Sequence, residues 1–312
     1  MGVIPHCCTW LVSRDEVIVQ FAARHHGVFT SAHATQVGFT RQQIGRRKKS
    51  GRWVHRYLGS YFIAGAPPSW KGDLLAASWA GGFRAVASHR SAAALWNLAG
   101  GRHSIAEITC PRWRRARHDG LDVHESRAFD PADATVVDGI PVTTPERTLL
   151  DLGAVCHESI VEMALDAAEK RELVTLASVR ATLARLGRSG RNGVGTLRRL
   201  LDARTPDRKP PESEMETVLL QVIRRNGLPE PVTQYEIRRA GRFVARVDAA
   251  YPQWHIAIEY DSYKHHTGRR AIDHDNDRRN NVIAAGWLPV VATAADLRAG
   301  GLALCAAIRA NR

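Results

Sequence analysis

The residues best able to do chemistry lie in the last third of the chain: Glu216, Asp248, Glu259 and Asp261, followed by His265, Asp275 and Arg278. Carboxylates are hard oxygen ligands, and two that reach one place can share a Mg²⁺ or Mn²⁺ ion. Such an ion lowers the pKa of a bound water and neutralises charge on a scissile phosphate, so the chemistry on offer is phosphodiester hydrolysis. Phe243–Asp248 and Trp254–Asp261 read as two strands turning near Pro252-Gln253. A two-residue loop sets Tyr251 opposite Trp254 and Asp248 opposite Ala257. Alternation then puts His255, Ala257, Glu259 and Asp261 on one face, with Asp248 a diagonal neighbour of Glu259 at ~7–8 Å. Two like charges that close are costly without a cation between them. The plain alternative is a surface hairpin with a polar outer face, which alternation alone slightly favours.

Other elements must position these acids. Met215, Val218, Leu219, Val222 and Ile223 repeat at helical spacing, with Glu212 and Glu216 on one margin of the stripe and Glu214 on the other side. A helix from near Ala271 puts Asp275, Arg278, Val282 and Ala285 on one face, Gly286 ends it, and Trp287–Ala292 returns as a strand. The order is helix, hairpin, helix, strand, helix. Taken together, Glu216, Arg246-Val247-Asp248, Glu259-Tyr260-Asp261, His265, Asp275, Arg278 and Gly286-Trp287 resemble a small domain family related to the very-short-patch-repair endonucleases, in the restriction-endonuclease-like PD-(D/E)XK superfamily. The resemblance covers about residues 210–300. It implies Asp248 and Glu259 as metal carboxylates for Mg²⁺ or Mn²⁺ and Glu216 as a supporting acid. It also implies Asp261 at the place of the superfamily's usual lysine, His265 as base or water-orienting group (His266 leaves that choice open), and Asp275 and Arg278 near the phosphate.

The basic charge has a location. The formal charge is +13, from 44 Lys and Arg against 31 Asp and Glu, and Val17–Gly72 holds no acid at all. A one-signed segment of that length wants a polyanion. Helices at Arg14–Arg24, from Ser31 to Val37 and at Arg41–Lys49 precede two strand-like pieces joined at Gly59-Ser60, the order of a winged helix-turn-helix. The third helix would be the recognition helix, so Arg41, Arg46, Arg47, Lys48, Lys49 and Arg52 are the DNA-binding candidates.

Beyond Pro67-Pro68 come Ala-rich helices at Lys71–Trp79 and Ser88–Leu98, strands at Ile105–Cys110 and Leu121–Glu125, and a helix opened by Thr144-Pro145-Glu146. Helices at Ser159–Arg171 and Leu176–Leu186 lead to a glycine-rich turn without a P-loop ending, and the proline-rich 205–211 reads as a linker. Ser88-His89-Arg90-Ser91 and Gly139–Arg147, following a winged helix, resemble the AbiEi-type antitoxins of type IV toxin–antitoxin systems over roughly residues 15–200. That likeness implies operator binding and a cognate nucleotidyltransferase-like toxin as partner.

The expected architecture is an α/β multidomain protein: a winged-helix DNA-binding domain at 15–66, an α+β middle domain at 70–204, a linker at 205–211 and a restriction-endonuclease-like α/β domain at 212–312. Five scattered cysteines without CxxC spacing suggest neither zinc nor a disulfide framework, and no apolar run is long enough for a membrane span. A cytoplasmic, DNA-bound protein follows. The expected function is a metal-dependent endonuclease; the alternative is a non-catalytic antitoxin or autoregulator that uses the nuclease-like fold only for binding.

Overall fold

The first three helices start where a side chain replaces the missing backbone acceptor. The Glu16, His33 and Gln43 N–H groups donate to Ser13, Thr30 and Thr40 hydroxyls, each at 3.2 Å. They open α1 (Arg14–Ala23), α2 (Ser31–Gln36) and α3 (Arg41–Lys49), with β1 (Val28–Thr30) between the first two. The cap of α2 is therefore Thr30, which ends a short strand and is already extended. β2 (Trp53–His55) and β3 (Ser60–Ile63) complete an antiparallel sheet of order β1-β3-β2. Phe29, Phe39, Trp53 and Tyr61 pack with Ile18, Phe21 and Ile44 beneath it.

The computed structural model describes residues 13–112, 118–126, 129–187, 192–205, 208–261 and 269–312, with side chains from 277 onward in the last stretch. It is a mixed α/β protein of two compact units, Met1–Cys156 with Ser189–Gly193, and His157–Arg188 with Val194–Arg312. The rest of the first unit comprises α4 (Trp70–Gly81), β4 (Val86–Ala87), α5 (His89–Leu95), β5 (Ala106–Cys110), β6 (Leu121–Glu125), β7 (Ala134–Val137), β8 (Ile140–Thr143) and α6 (Pro145–Val155). Its five-stranded sheet runs β6-β5-β4-β8-β7. Val28 and Tyr57 share a buried cluster with Leu74, Leu75, Ile108 and Val142, so the two sheets of this unit have a common core.

The Thr144-Pro145-Glu146-Arg147 segment is a structural lock. Thr144 caps α6, with the Arg147 N–H donating to its hydroxyl at 3.4 Å, and Pro145 occupies the first turn. The Arg147 side chain, 2% exposed, bonds Asp151 at 2.9 Å and Asp133 at 3.2 Å. Removing one member of such a buried ionic set strands the others. Arg147→Met is expected to cost about 3–5 kcal/mol of stability, read from the denaturant midpoint of this unit; a loss under about 1 kcal/mol would contradict the lock.

The second unit comprises α7 (Glu158–Lys170), α8 (Leu176–Leu186), α9 (Val194–Asp202), α10 (Glu214–Arg225), β9 (Val232–Arg239), β10 (Arg242–Tyr251), β11 (Ile256–Asp261), α11 (Arg269–Ala284), β12 (Leu288–Thr293), α12 (Ala294–Arg298) and α13 (Leu302–Ala310). Its sheet runs β12-β11-β10-β9, with β11 and β12 parallel and the other pairs antiparallel. Leu219, Ile223, Ile256, Ile258, Val290 and Ile308 fill one face. Ala250, Ala257, Val282 and Trp287 fill the other, under α11. The helices α7–α9 belong here and not with the middle of the chain, because buried Asp166 accepts from Arg204 at 2.7 Å and from the Thr217 hydroxyl of α10 at 3.1 Å. The proline-rich stretch also runs inside this unit: Arg208 donates to Asp166 at 3.1 Å and Thr233 Oγ1 to the Lys209 carbonyl at 2.7 Å.

Candidate functional site

The hairpin that carries Asp248 and Glu259 has a longer connection than expected. Tyr251 pairs with Ile256, Ala250 with Ala257 and Ala249 with Ile258. One further step along that register sets Asp248 opposite Glu259, not opposite Ala257 as the two-residue loop required. The cause is local. Pro252 has a fixed φ and no N–H to give the ladder, Pro252–Trp254 coil into a 3-10 turn, and His255 takes a left-handed φ of 52°. The register moves by two residues, which preserves the alternation. Glu259 therefore keeps the parity of Ala257, the residue packed with Val282 and Trp287.

At Asp248 the sheet is interrupted on both sides. On the β9 side, Val247 pairs with Tyr235 and Ala249 with Thr233, skipping the Asp248–Gln234 position. Gln234 has a φ of 50°, a strained conformation for a side-chain-bearing residue. On the β11 side, the Tyr260 N–H donates to Asp248 Oδ2 at 2.7 Å. Gln234 Nε2 donates to Glu216 Oε2 at 2.8 Å, which ties α10 to the same interruption. Burial, reinforced by repulsion from Glu259, raises the Asp248 carboxyl above its ordinary range against the Tyr260 N–H and the Arg278 charge. Burial also raises Glu216, and Asp248 adds to that shift. Acids from a helix and two strands are thus close enough to oppose one another's ionisation.

A carboxyl raised on folding binds its proton more tightly in the native state. Ionising it therefore destabilises the fold as pH climbs from about 4 through the elevated folded value. Asp248→Asn is accordingly expected to raise the melting temperature at pH 7 and to leave it nearly unchanged below pH 4. Equal shifts at both pH values would show that Asp248 ionisation is not the destabilising element.

The other predicted residues fall into distinct roles. Glu216, 8% exposed, spends both oxygens on the start of α10: the Ser213 hydroxyl donates at 2.9 Å and the Glu212 N–H at 2.8 Å. It accepts beside the Ser213 cap, and Asp248 is near enough for its charge to raise the Glu216 carboxyl. Glu259 Oε1 is ion-paired to Arg278 at 2.7 Å, and Arg278 also donates to the Arg246 carbonyl at 2.6 Å. Arg278 thus looks toward the sheet beside buried Val282, as its spacing predicted. Asp261 ends β11 beside Thr293, partly exposed. His265 and the Asp275 side chain lie outside the described residues. Among the described residues, Glu216, Asp248 and Glu259 do not close to the spacing of three ligand atoms on one ion. One contributor escaped the sequence: Gln234, which no periodicity marks; Arg246, part of the motif around Asp248, is ion-paired to Glu212 at 2.8 Å.

On the basic side, Arg41, Arg46, Lys48, Lys49 and Arg52 are exposed. Arg47 is not available in the same way. It forms a two-pronged pair with Asp15, at 2.8 and 2.6 Å, and lies over the Phe39 ring at 4.4 Å. That pair holds α3 against α1 and pulls the Asp15 carboxyl below its usual range, chiefly through the Arg47 hydrogen bond. Among the described residues no helix is long and apolar enough to cross a membrane.

No family model matches the chain. Over 262 residues, 83% of this chain and 92% of each relative, it is 30% identical to the uncharacterized protein Rv2248 of Mycobacterium tuberculosis strain ATCC 25618/H37Rv and to the uncharacterized protein MT2308 of strain CDC 1551/Oshkosh. The chain belongs to their family. The match spans nearly the whole of those relatives. A crystal structure of the RV2827C protein from Mycobacterium tuberculosis aligns at a TM-score of 0.39 and 19% identity, over 59% of this chain and 75% of that one, too loosely to bear on the fold.

Proposed function

We propose that this protein binds DNA through a winged helix whose recognition helix is α3, and hydrolyses phosphodiester bonds at a Mg²⁺ or Mn²⁺ site in a restriction-endonuclease-like second unit. The observation that carries the reading is Asp248: a partly buried carboxylate at an interruption of the sheet, with the charge of Glu259 pressing against its ionisation and its own charge pressing against that of Glu216. An all-carboxylate donor set under that repulsion fits a hard divalent cation. Asp248 and Glu259 would hold it, and it would supply charge neutralisation and an acidified water. Glu216 and Gln234 hold Asp248's surroundings in place. Arg278, paired with Glu259, is the cation best set to move onto a phosphate oxygen. Three capped helices followed by β2 and β3, with an exposed cationic face on α3, support the winged-helix assignment.

The test is incubation with supercoiled, linear and single-stranded DNA at varied Mg²⁺ and Mn²⁺. Metal-dependent cleavage lost in Asp248→Ala supports the reading; equal cleavage by the variant overturns it. A second reading has its own support. The Arg278–Glu259 pair and the Tyr260–Asp248 bond give each acid a protein partner without an ion, as expected of a non-catalytic AbiEi-like antitoxin or autoregulator paired with a nucleotidyltransferase-like toxin. Specific retention of one operator duplex, with no cleavage of any substrate, would select that reading.

A further inference from the structure

A different cluster of side chains sits on the first unit, away from the acids discussed above. The parallel pairing of β5 with β6 sets Glu107 beside Asp122 and Thr109 beside His124, which places all four on one face of the sheet. Ile108, on the other face, is in the buried core. The first residue of α5, His89, reaches the Glu107 face, and its φ of 50° is a conformation few side-chain-bearing residues adopt. One ligand atom each from His89, Glu107 and His124 lie within 4.8 Å of one another. The two imidazoles stack with centroids 3.5 Å apart and planes 17° off parallel.

An ordinary ion pair does not account for this arrangement. Glu107 is 1% exposed, and its Oε1 accepts from Arg102 Nη2 at 2.6 Å, with Arg90 Nη1 farther off at 3.8 Å. That contact alone balances the carboxylate. Oε2 is turned the other way, toward His124 Nε2 at 3.6 Å and the Arg90 N–H at 3.4 Å, both long for hydrogen bonds. The neutral imidazole ring is the metal-binding form. His89 is oriented from behind: its Nδ1 is 2.9 Å from Ser88 Oγ, which accepts from Thr109 Oγ1 at 2.8 Å. Fixing a ligand through the atom it does not use is a common feature of metal sites. His124 also borders a cavity of about 650 Å³, lined in addition by His118 and Asp122.

We propose that His89, Glu107 and His124 form a three-ligand site for one divalent transition ion of the zinc class, open toward that cavity. Two imidazoles and one carboxylate select Zn²⁺, Co²⁺ or Ni²⁺ over Mg²⁺. Ligand atoms around a tetrahedral Zn²⁺ stand about 3.3–3.5 Å apart, so the two rings would leave their stack on binding to turn their in-plane lone pairs onto one ion. The ion would fasten α5 to the edge strand β6. The site does not depend on Asp248.

The experiment is titration of the full-length, metal-stripped chain with Co²⁺, followed by visible absorption and repeated with Zn²⁺ by calorimetry. Wild type is expected to bind one ion at this site with an intense tetrahedral d–d band, apart from any weaker uptake at the carboxylates of Asp248 and Glu259. His124→Ala, at a partly exposed position where folding should survive, is expected to weaken binding roughly 100-fold or more, given that even outer partners are worth 10–100-fold. Circular dichroism confirms that the variant is folded, and Asp248→Asn is expected to retain the band. No cobalt band in wild type, or equal affinity in folded His124→Ala, overturns the proposal.

Discussion

Replacing Asp248 with alanine is expected to lower Mg²⁺-dependent DNA cleavage by at least ~10³-fold, since loss of a metal carboxylate forfeits several kcal/mol of transition-state charge stabilisation. Duplex affinity should stay within about twofold, because the proposed function assigns binding to cationic side chains elsewhere in the sequence. The residue is singled out by where it sits: its backbone is left out of the pairing on the β9 side, and its carboxylate occupies the place of a strand partner at Tyr260 N–H. Alanine removes the charge without adding bulk. Glu259→Ala should fall in the same range. Arg278→Ala should cost less in kcat and more in KM if its guanidinium moves from Glu259 to the substrate phosphate. Cleavage by Asp248→Ala at near wild-type rate would move the chemistry to another part of the chain.

The second large effect is on salt dependence. Changing Arg46, Lys48 and Lys49 together to glutamine should weaken duplex binding by roughly 10–10³-fold near physiological salt. It should also flatten the slope of log K against log salt by about 2.7, close to 0.9 for each phosphate that is no longer neutralised. These three are exposed on α3. Arg47→Ala should behave differently, lowering thermal stability while changing the slope little, because its guanidinium is committed to Asp15 and Phe39. A slope that answers to Arg47 and ignores the other three would remove α3 from the interface.

The parts of the second unit that follow from side-chain periodicity were legible in the sequence: the apolar stripe of α10, the strands β10, β11 and β12, and the inward face of α11 at Arg278 and Val282. Burial selects those patterns, so sequence carries them directly. The details that depend on contact between elements were not legible. The two-residue register change comes from the 3-10 turn at Pro252. Gln234 takes a left-handed φ inside the edge strand β9, and its bond to Glu216 joins residues 18 apart in sequence. Glu216 reads from sequence as a site acid, yet its oxygens also cap a helix, and only the neighbours of both atoms distinguish those roles. Arg47 looks like its basic neighbours until Asp15, 32 residues away, claims it. The unit boundary was hidden for the same reason, since the Asp166–Arg204 bond that ties α7 to the segment after α9 spans 38 residues. Stacking of His89 on His124 likewise needs the parallel β5–β6 register, which no local pattern announces.

Whether Asp248 and Glu259 grip a cation can be measured by calorimetric titration of the full chain with Mg²⁺, on a His124→Ala background that removes the imidazole-rich cluster from consideration. The titration is made with and without a short duplex bearing non-hydrolysable linkages. Binding of Mg²⁺ that strengthens when the duplex is present, and disappears in Asp248→Asn, is the predicted result. No Mg²⁺ uptake with the duplex bound, or uptake that Asp248→Asn leaves unchanged, would contradict it.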